Sequence, residues 1–448
     1  MKAQTPSVQL VACAALLISF ALAGTAHANG FSWANAASAD SGFRVGANGR
    51  LQPGLRVIGA YQSNVYRTEA NPEHDFTLAL QPHLRYLLRS DDANFKIYGE
   101  YLLKKYLGAF VDHAADPVGH KDLDIYVNYR LGLSLMTRPK SPFSFIVSDD
   151  LHRLSREFDN QERVFHRYSL MDRLTNDFQI GVEGRPGSSL RIRGLFHFDL
   201  GRYTGANTQG IGAAANRIVY GQAFDFYGTL HAAWRFFPKT QLLLEADFGH
   251  VMWDPTFADL VNSDNADPAL ASLSQYDSDH WRVWFGIQGK FSRQIALQGM
   301  VGYGNAYFPD SPAAPDDNLN GGDGILGKVQ LHWTPLMTQR ITVGFLRDFR
   351  YLYFSNYYIT TSPYVRYEGQ IAGFILPRAE FAYHYRQIAG DIDRSDHEIR
   401  ARLGVNFGIT EFFKIGVQYG LWSIVASDAG DDPTFTDHEI GIGIEFGY

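Results

Sequence analysis

The sequence predicts an all-β protein, a transmembrane antiparallel up-and-down β-barrel of the outer-membrane type. The expected number of strands is about eighteen, within a range of roughly sixteen to twenty. Three observations predict this class. Short segments alternate between apolar and polar residues, the connections between them differ systematically in length, and no long apolar run follows the N-terminal leader. A helical membrane protein needs such runs, so this class is excluded.

The alternating segments are clearest at 76–88, 190–200, 281–291 and 398–409. In each of them, large apolar side chains occupy every second position, and arginine, histidine, glutamine or acidic residues occupy many of the others. Successive side chains of a strand point to opposite faces, so each segment has one apolar and one polar face. Charges this numerous cannot sit in a dry core, and the polar faces therefore require water or ionic partners.

The connections between these segments separate into two kinds. The short ones are 89–93, 138–142, 185–189, 237–240, 292–294, 334–338, 372–373 and 410–411. Longer ones fall between them and include 108–122, 203–217, 254–279, 309–323 and 426–435. A soluble sandwich has no reason to alternate loop lengths, whereas outer-membrane barrels have short periplasmic turns and long external loops. With an even number of strands, both termini are expected in the periplasm.

The chain is predicted to contain a signal peptide at 1–28, a short periplasmic segment at 29–42 and a barrel at 43–448. Lys2, the apolar stretch 8–24 and the small residues around His27 fit a leader that is cleaved after Ala28. Cys13 lies in a lipoprotein-like "LVAC", but the apolar run follows it instead of preceding it, which favours the ordinary signal peptide. Cys13 is the only cysteine, so the mature chain is predicted to form no disulfide or thiolate metal site.

The C-terminal stretch alternates strictly. The residues predicted to face lipid and to act as the membrane-assembly strand are Ile440, Ile442, Ile444, Phe446 and Tyr448. A barrel pairs its last strand with its first, because no unpaired edge is tolerated in hydrocarbon. The terminal aromatic residue resembles a general recognition signal for the outer-membrane assembly machinery, which is therefore an expected partner.

If the apolar faces contact lipid, the opposite faces line the lumen. The predicted lumen-lining residues are Arg85, Lys96, Glu100, Arg130, Asp177, Arg191, Arg193, Asp199, Arg235, Arg282, Arg366, Glu368, Arg378, Glu380, Arg400 and Arg402. One interpretation is that they form cross-strand ion pairs that stiffen the wall. The other is a slightly cationic, hydrated lumen that passes polar or anionic solutes. The lumen tyrosines Tyr98, Tyr126, Tyr227 and Tyr364 are candidates for stacking on sugar rings, with space filling as the alternative.

One loop matches the calcium-binding loop pattern in part and is the one candidate metal site in the sequence. No other cofactor is expected. Asp316, Asn318 and Asn320 stand at the first, third and fifth positions of a calcium-loop pattern, but Gly327 stands where a bidentate glutamate is needed. A solvated turn, or a loop bridged to lipopolysaccharide phosphates by divalent ions, is the alternative.

An enzyme is not expected. The adjacent pairs Asp279-His280, Asp396-His397 and Asp437-His438 resemble acid–base pairs, but neighbours in a strand point apart. The chain also contains no nucleophile-elbow, zinc-protease or P-loop motif.

The stretches 55–88, with "YQSNVYR", and 345–358, "FLRDFRYLYFSNYY", resemble the β-barrel porin 2 family. The resemblance implies an outer-membrane barrel over nearly the whole mature chain, in a family expected near exopolysaccharide or capsule export systems. A periplasmic polysaccharide-export protein is then an expected partner, besides outer-membrane lipid and lipopolysaccharide. No nucleic-acid partner is expected, since no basic patch stands out from the net charge of −7.

The leading functional prediction is an outer-membrane pore of a Gram-negative bacterium that translocates a polysaccharide. Two alternatives remain, a general or anion-leaning diffusion porin and a closed structural or receptor barrel without transport. A secreted soluble β-protein is the least favoured. Single-channel conductance separates a pore from a closed barrel.

Overall fold

The structure of the 448-residue chain is a computed structural model. The structure describes residues 42–65, 72, 74–108, 125–155, 171–206, 217–253, 277–309, 319, 324–351, 357–389, 394–427 and 434–447. In this part of the chain, no helix is long and apolar enough to cross a membrane.

The described residues form nineteen strands. In chain order they are β1 (Phe43–Val45), β2 (Gly49–Gln62), β3 (Asp75–Arg89), β4 (Ala93–Tyr106), β5 (Ile125–Thr137), β6 (Phe143–Ser155), β7 (Met171–Gly184), β8 (Leu190–Ala206), β9 (Arg217–Phe237), β10 (Thr240–Trp253), β11 (Ser278–Lys290), β12 (Ile295–Tyr307), β13 (Ile325–Trp333), β14 (Gln339–Tyr351), β15 (Tyr357–Gly369), β16 (Ile375–Ala389), β17 (Arg394–Gly408), β18 (Phe413–Ala426) and β19 (Phe435–Gly447).

Strands β2 to β19 form a closed antiparallel barrel of eighteen strands. Each strand pairs with its neighbours in the chain, and β19 pairs with β2 from Glu439↔Gln62 to Gly447↔Gly54. The short β1 pairs with the start of β2. Closure leaves no strand edge unpaired among these eighteen, which is the condition for a sheet in hydrocarbon. The predicted fold class is therefore confirmed, including the strand number.

The eight connections at one end of the barrel are all short, and each contains or overlaps one of the short turns predicted from the sequence. Residues in these turns adopt the backbone conformations that a tight reversal of the chain requires. Gly373 follows Ala372, and both have a positive φ, 80° and 50°, in the turn between β15 and β16. At the other end, 352–356 and 390–393 are as short as these turns. The connections at this end are therefore longer in most cases, but long and short connections do not alternate strictly along the chain.

Burial in this barrel is reversed relative to a soluble protein. Large apolar side chains on the outer face are exposed, such as Ile442 at 59% and Phe285 at 56%. Many buried side chains are charged or amide-bearing, such as Glu183 at 1% and Asp75 at 1%. Soluble proteins bury apolar residues and almost never bury lone charges, whereas outer-membrane barrels carry an apolar band outside and polar residues inside.

Candidate functional site, the inner wall of the barrel

All of the residues predicted to line the lumen share one face of the barrel. Residues directly opposite in antiparallel strands point the same way, and the register pairs Glu100 with Arg130 and Arg366 with Glu380. This face is the inner one because its ion pairs join strands that are not neighbours. Lys328 Nζ of β13 lies 3.9 Å from a carboxylate oxygen of Glu245 on β10, across two intervening strands. Outward-pointing side chains diverge and cannot meet in this way.

Charges of opposite sign alternate across β14 to β17. In one row Arg340 is opposite Glu368, which is opposite Arg378. In the next, Arg366 and Arg402 flank Glu380, and two guanidinium nitrogens of Arg366 lie 3.3 Å from the carboxylate. Opposite charges in such positions stabilise a sheet by about 0.2–1 kcal/mol per pair. These rows match the ladder interpretation, and their partial exposure leaves them in contact with water.

The tyrosines that are candidates for sugar stacking contact other side chains of the inner wall. The Tyr98 hydroxyl donates to Asp150 Oδ2 at 2.5 Å, and Lys96 Nζ lies 4.4 Å from its ring centroid. Tyr227 stacks on His197 with a centroid distance of 4.2 Å. Tyr364 accepts a hydrogen bond from Gln330 Nε2 at 2.8 Å. The side chain of Tyr126 lies outside the described residues.

A row of four aspartates crosses β6 to β9. Asp150 is opposite Asp177, Asp177 is opposite Asp199, and Asp199 is opposite Asp225. Asp150 forms a charge-assisted pair with Arg130, whose Nε lies 3.0 Å from both carboxylate oxygens. Among the described side chains, no lysine or arginine forms an ion pair with Asp177 or Asp199. Like charges directly opposite are destabilising, so this row requires compensation.

A row of glutamines lies across β10 to β13, between the aspartate row and the arginine-rich wall. In register order it consists of Gln241, Gln288, Gln298 and Gln330. Gln241 Nε2 donates to Gln288 Oε1 at 2.6 Å. On the inner face, the described carboxylates of β6 to β10 outnumber the cationic side chains, and arginine and lysine predominate over β11 to β18. The wall therefore has an acidic side and a basic side.

An apolar cluster interrupts the polar wall on β11 to β15 and the adjoining residues. It contains Trp284, Met300, Ala306, Phe308, Leu319, Leu326, Phe349, Tyr357 and Ile359. Trp284 and Met300 are opposite the inner-face residues Glu245 and Lys328, so the cluster is on the inner side. The sequence does not predict this cluster, because strict alternation assigns Phe349 to the outer face. No local signal in the sequence marks this inward turn.

The adjacent aspartate–histidine pairs are split between the two faces of the wall. His280 lies inside, 3.9 Å from Asp225, whereas Asp279 lies outside and contacts His250 Nδ1 at 2.8 Å. The other two pairs are divided the opposite way: Asp396 and Asp437 are buried on the inner face. His397 and His438 lie outside, where they contact the hydroxyls of Tyr383 and Tyr419. None of the three pairs forms an acid–base unit.

The remaining predictions fall partly outside the described residues. Asp316, Asn318 and Asn320 of the calcium-loop pattern lie outside them, and so does Tyr448. Gly327 is within β13 and pairs with Val301 and Arg347, so it is not a loop residue. On β19, Ile440, Ile442 and Phe446 lie on the outer face and are 52%, 59% and 50% exposed. Ile444 shares this face and is opposite Val57 of β2.

No family model matches the chain. No curated protein matches it either. Membership in the family that the sequence resembles therefore stays a prediction. Among solved structures, the siderophore receptor PirA from Acinetobacter baumannii is similar with a TM-score of 0.50 and 5% identity, over 89% of this chain and 80% of that one.

Two further similar structures are OccAB3 from Acinetobacter baumannii and OpdO from Pseudomonas aeruginosa. OccAB3 has a TM-score of 0.42 and 12% identity, over 89% of this chain and 99% of that one. OpdO has a TM-score of 0.43 and 12% identity, over 90% and 97%. At 5% identity, the similarity to PirA concerns the fold alone, which is an outer-membrane-type barrel.

Proposed function

We propose that this chain forms a hydrated outer-membrane pore for polar solutes and is not an enzyme. The observation that carries the proposal is the reversed burial of a closed barrel, with apolar side chains outside and charged side chains inside. A charged inner wall is stable only with ionic partners or water. A water-filled lumen lined by paired charges provides a path for polar solutes.

The proposed pore discriminates by charge. The basic side of the wall, including Arg366, Arg378 and Arg402, attracts anions, and the acidic side around Asp177 and Asp199 attracts cations. Because the basic side, β11 to β18, covers more strands than the acidic side, β6 to β10, we expect a net preference for anions. The ladders fix these side chains in position, so that the preference is built into the wall.

Planar-bilayer recording of the refolded mature chain tests this proposal. We expect steady channels with a reversal potential on the anion side in a salt gradient. Arg378→Gln should shift the reversal potential toward cations, and Asp225→Asn should shift it toward anions. The outer-face change Ile440→Val should leave it unmoved. Barrels that are folded by heat-modifiable migration but silent in the bilayer would favour the closed structural alternative.

The finer proposal is that the polar solute is a polysaccharide chain. It is supported by the sequence resemblance and by an inner wall rich in hydrogen-bonding side chains. Acidic polysaccharide fragments on one side of the bilayer should block single channels transiently, with block times that increase with chain length. Conducting channels whose current is unchanged by the fragments would instead indicate a general diffusion porin.

The proposed orientation has the short turns in the periplasm and the opposite end outside the cell. Lys140, in a short turn, and Asp279, near the other end, have side chains that are 76% and 63% exposed. On intact cells, a membrane-impermeant maleimide should label Asp279→Cys but not Lys140→Cys. The reverse labelling pattern would contradict this orientation.

A further inference from the structure

We infer that Asp177, His197 and Asp199 form a binding site for a divalent first-row transition-metal ion on the inner wall. Asp177 belongs to β7, and the other two residues belong to β8. One ligand atom from each of the three side chains lies within 4.8 Å of the other two. A small inward movement brings three such atoms to distances of about 2.0–2.2 Å from one central ion.

The aspartate row supplies the electrostatic reason for a cation. Asp177 and Asp199 are directly opposite, and Asp225 continues the row on β9. Asp150, at the other end, is compensated by Arg130. The carboxylates of Asp177 and Asp199 have no ion pair with a described lysine or arginine. A divalent ion between them turns a repulsive pair of charges into a coordinating pair.

The surroundings of His197 independently indicate that a metal ion binds here. His197 is only 7% exposed, and its Nε2 lies 3.1 Å from the Thr229 hydroxyl. Its Nδ1 has no hydrogen-bond partner in the described part of the chain and lies 4.0 Å from Asp177 Oδ1. When Nε2–H donates to Thr229, Nδ1 presents its lone pair to the carboxylates. This is how metal-binding histidines are oriented by a partner on the other ring nitrogen.

The surrounding side chains hold the ligands in place. Gln179 Nε2 donates to both oxygens of Asp177 at 3.0 Å. The Tyr227 hydroxyl donates to Asp199 Oδ2 at 3.3 Å, while Asp199 Oδ1 is buried without a described hydrogen-bond partner. The Tyr227 ring also stacks on His197 with an interplanar angle of 9°. Outer partners of this kind orient metal ligands and fix their protonation.

The ligand set selects the class of ion. One imidazole nitrogen with two carboxylates suits Zn²⁺, Co²⁺ or Mn²⁺, whereas Mg²⁺ and Ca²⁺ prefer oxygen ligands throughout. The principal competing explanation is a proton shared between the two carboxylates, with no metal involved. Titration with a metal ion distinguishes the two explanations.

Co²⁺ is the probe, added to the refolded, chelator-treated mature barrel in detergent. We expect saturable one-to-one binding by calorimetry and a visible absorption band that Zn²⁺ displaces and excess Mg²⁺ does not. His197→Gln and Asp199→Asn should each weaken Co²⁺ binding at least about tenfold. Thr229→Val keeps the side-chain shape but removes the hydroxyl beside Nε2, and should weaken binding about 10–100-fold.

His332→Gln is the matched control. His332 also lies on the inner face, and its Nδ1 lies 3.0 Å from the Thr342 hydroxyl, but it is opposite Ala296 and Thr342 and not aspartates. Its substitution should leave Co²⁺ affinity unchanged. Heat-modifiable migration shows that each variant is folded.

Two results would overturn the inference: absence of saturable Co²⁺ binding to the folded wild-type barrel, or equal affinity in wild type, His197→Gln and Asp199→Asn. The first of these results favours the shared proton. The assay requires no ion flow, so its outcome is independent of the proposed pore function. A silent barrel that binds Co²⁺ and a conducting barrel that does not are separate, recognisable results.

Discussion

Glu183→Gln is expected to destabilise the barrel more than any equivalent change in an exposed ladder. Glu183 is 1% exposed and accepts hydrogen bonds from two arginines at the short-turn end. Arg185 approaches one carboxylate oxygen at 2.8 and 2.6 Å, and Arg193 approaches the other at 2.9 and 2.6 Å. The amide of glutamine keeps the shape but removes the charge and offers one acceptor oxygen instead of two.

The size of the effect follows from burial. Removing one partner of a fully buried pair costs about 3–5 kcal/mol, because the other charge is left uncompensated. Here the two arginines are 34% and 25% exposed, so water can solvate them after the change. Solvation reduces the expected loss to about 1.5–3 kcal/mol, the range for hydrogen bonds to charged groups.

Glu380→Gln is the matched control. Glu380 is also an inner-face glutamate facing an arginine, but the side chains of Arg366 and Glu380 are 45% and 32% exposed. Exposed pairs contribute about 0–1 kcal/mol, and the control should stay within that range. Urea unfolding in lipid vesicles, followed by tryptophan fluorescence, gives both free energies of unfolding.

Equal losses in the two variants would refute the argument, since burial would then not govern the cost of breaking the pair. A larger loss in Glu380→Gln would contradict it still more directly. Arg193→Gln offers an internal check. It should cost less than Glu183→Gln, because Arg185 still pairs with the carboxylate.

Three other changes test the wall at single positions. In Gly344→Ala, the new Cβ would lie 2.2 Å from Tyr364 Cζ, so we expect a loss of about 1–3 kcal/mol, and Tyr364→Ala should recover part of it in the double mutant. Full additivity of the two changes would show that this close approach is not the cause. Ile442→Arg places a charge on the outer face of β19 and should cost about 2–4 kcal/mol near the bilayer midplane. Gln298→Arg on the inner face, opposite Gln288 and Gln330, should cost much less by the same urea assay. Tyr98→Phe removes the hydrogen bond to Asp150 and should cost about 1–2 kcal/mol; an unchanged urea midpoint would contradict that bond.

The barrel class and the short turns could be predicted from the sequence because their signals are local. The alternation at 76–88 and 398–409 corresponds to β3 and β17, and the short segment 185–189 is the whole connection between β7 and β8. Face assignment likewise needs only the parity of each strand. A closed barrel then follows, because a sheet with one apolar and one charged face has few other stable arrangements in a membrane.

The metal-ligand candidates could not be predicted, because their proximity depends on strand register. Asp177 and Asp199 appeared in the sequence as two separate lumen charges, and His197 appeared only as a polar residue of an alternating segment. The cross-strand register makes them neighbours. Register is set by turn lengths and the stagger of the whole barrel, which no single segment contains.

The apolar cluster shows where local alternation fails, and the failure has a testable consequence. Phe349 should face outward by parity, yet the guanidinium of Arg282 lies 4.4 Å from its ring centroid, and Arg282 Nη2 donates to its carbonyl oxygen at 3.0 Å. Packing against Trp284 and Leu326 therefore overrides the alternation at the end of β14. Phe349→Ala should cost about 3–5 kcal/mol through the cavity it leaves. It should also free Arg282 toward the lumen and shift the reversal potential toward anions. A destabilised channel with unchanged selectivity would mean that Asp348, 3.5 Å from Arg282, holds the guanidinium without the ring.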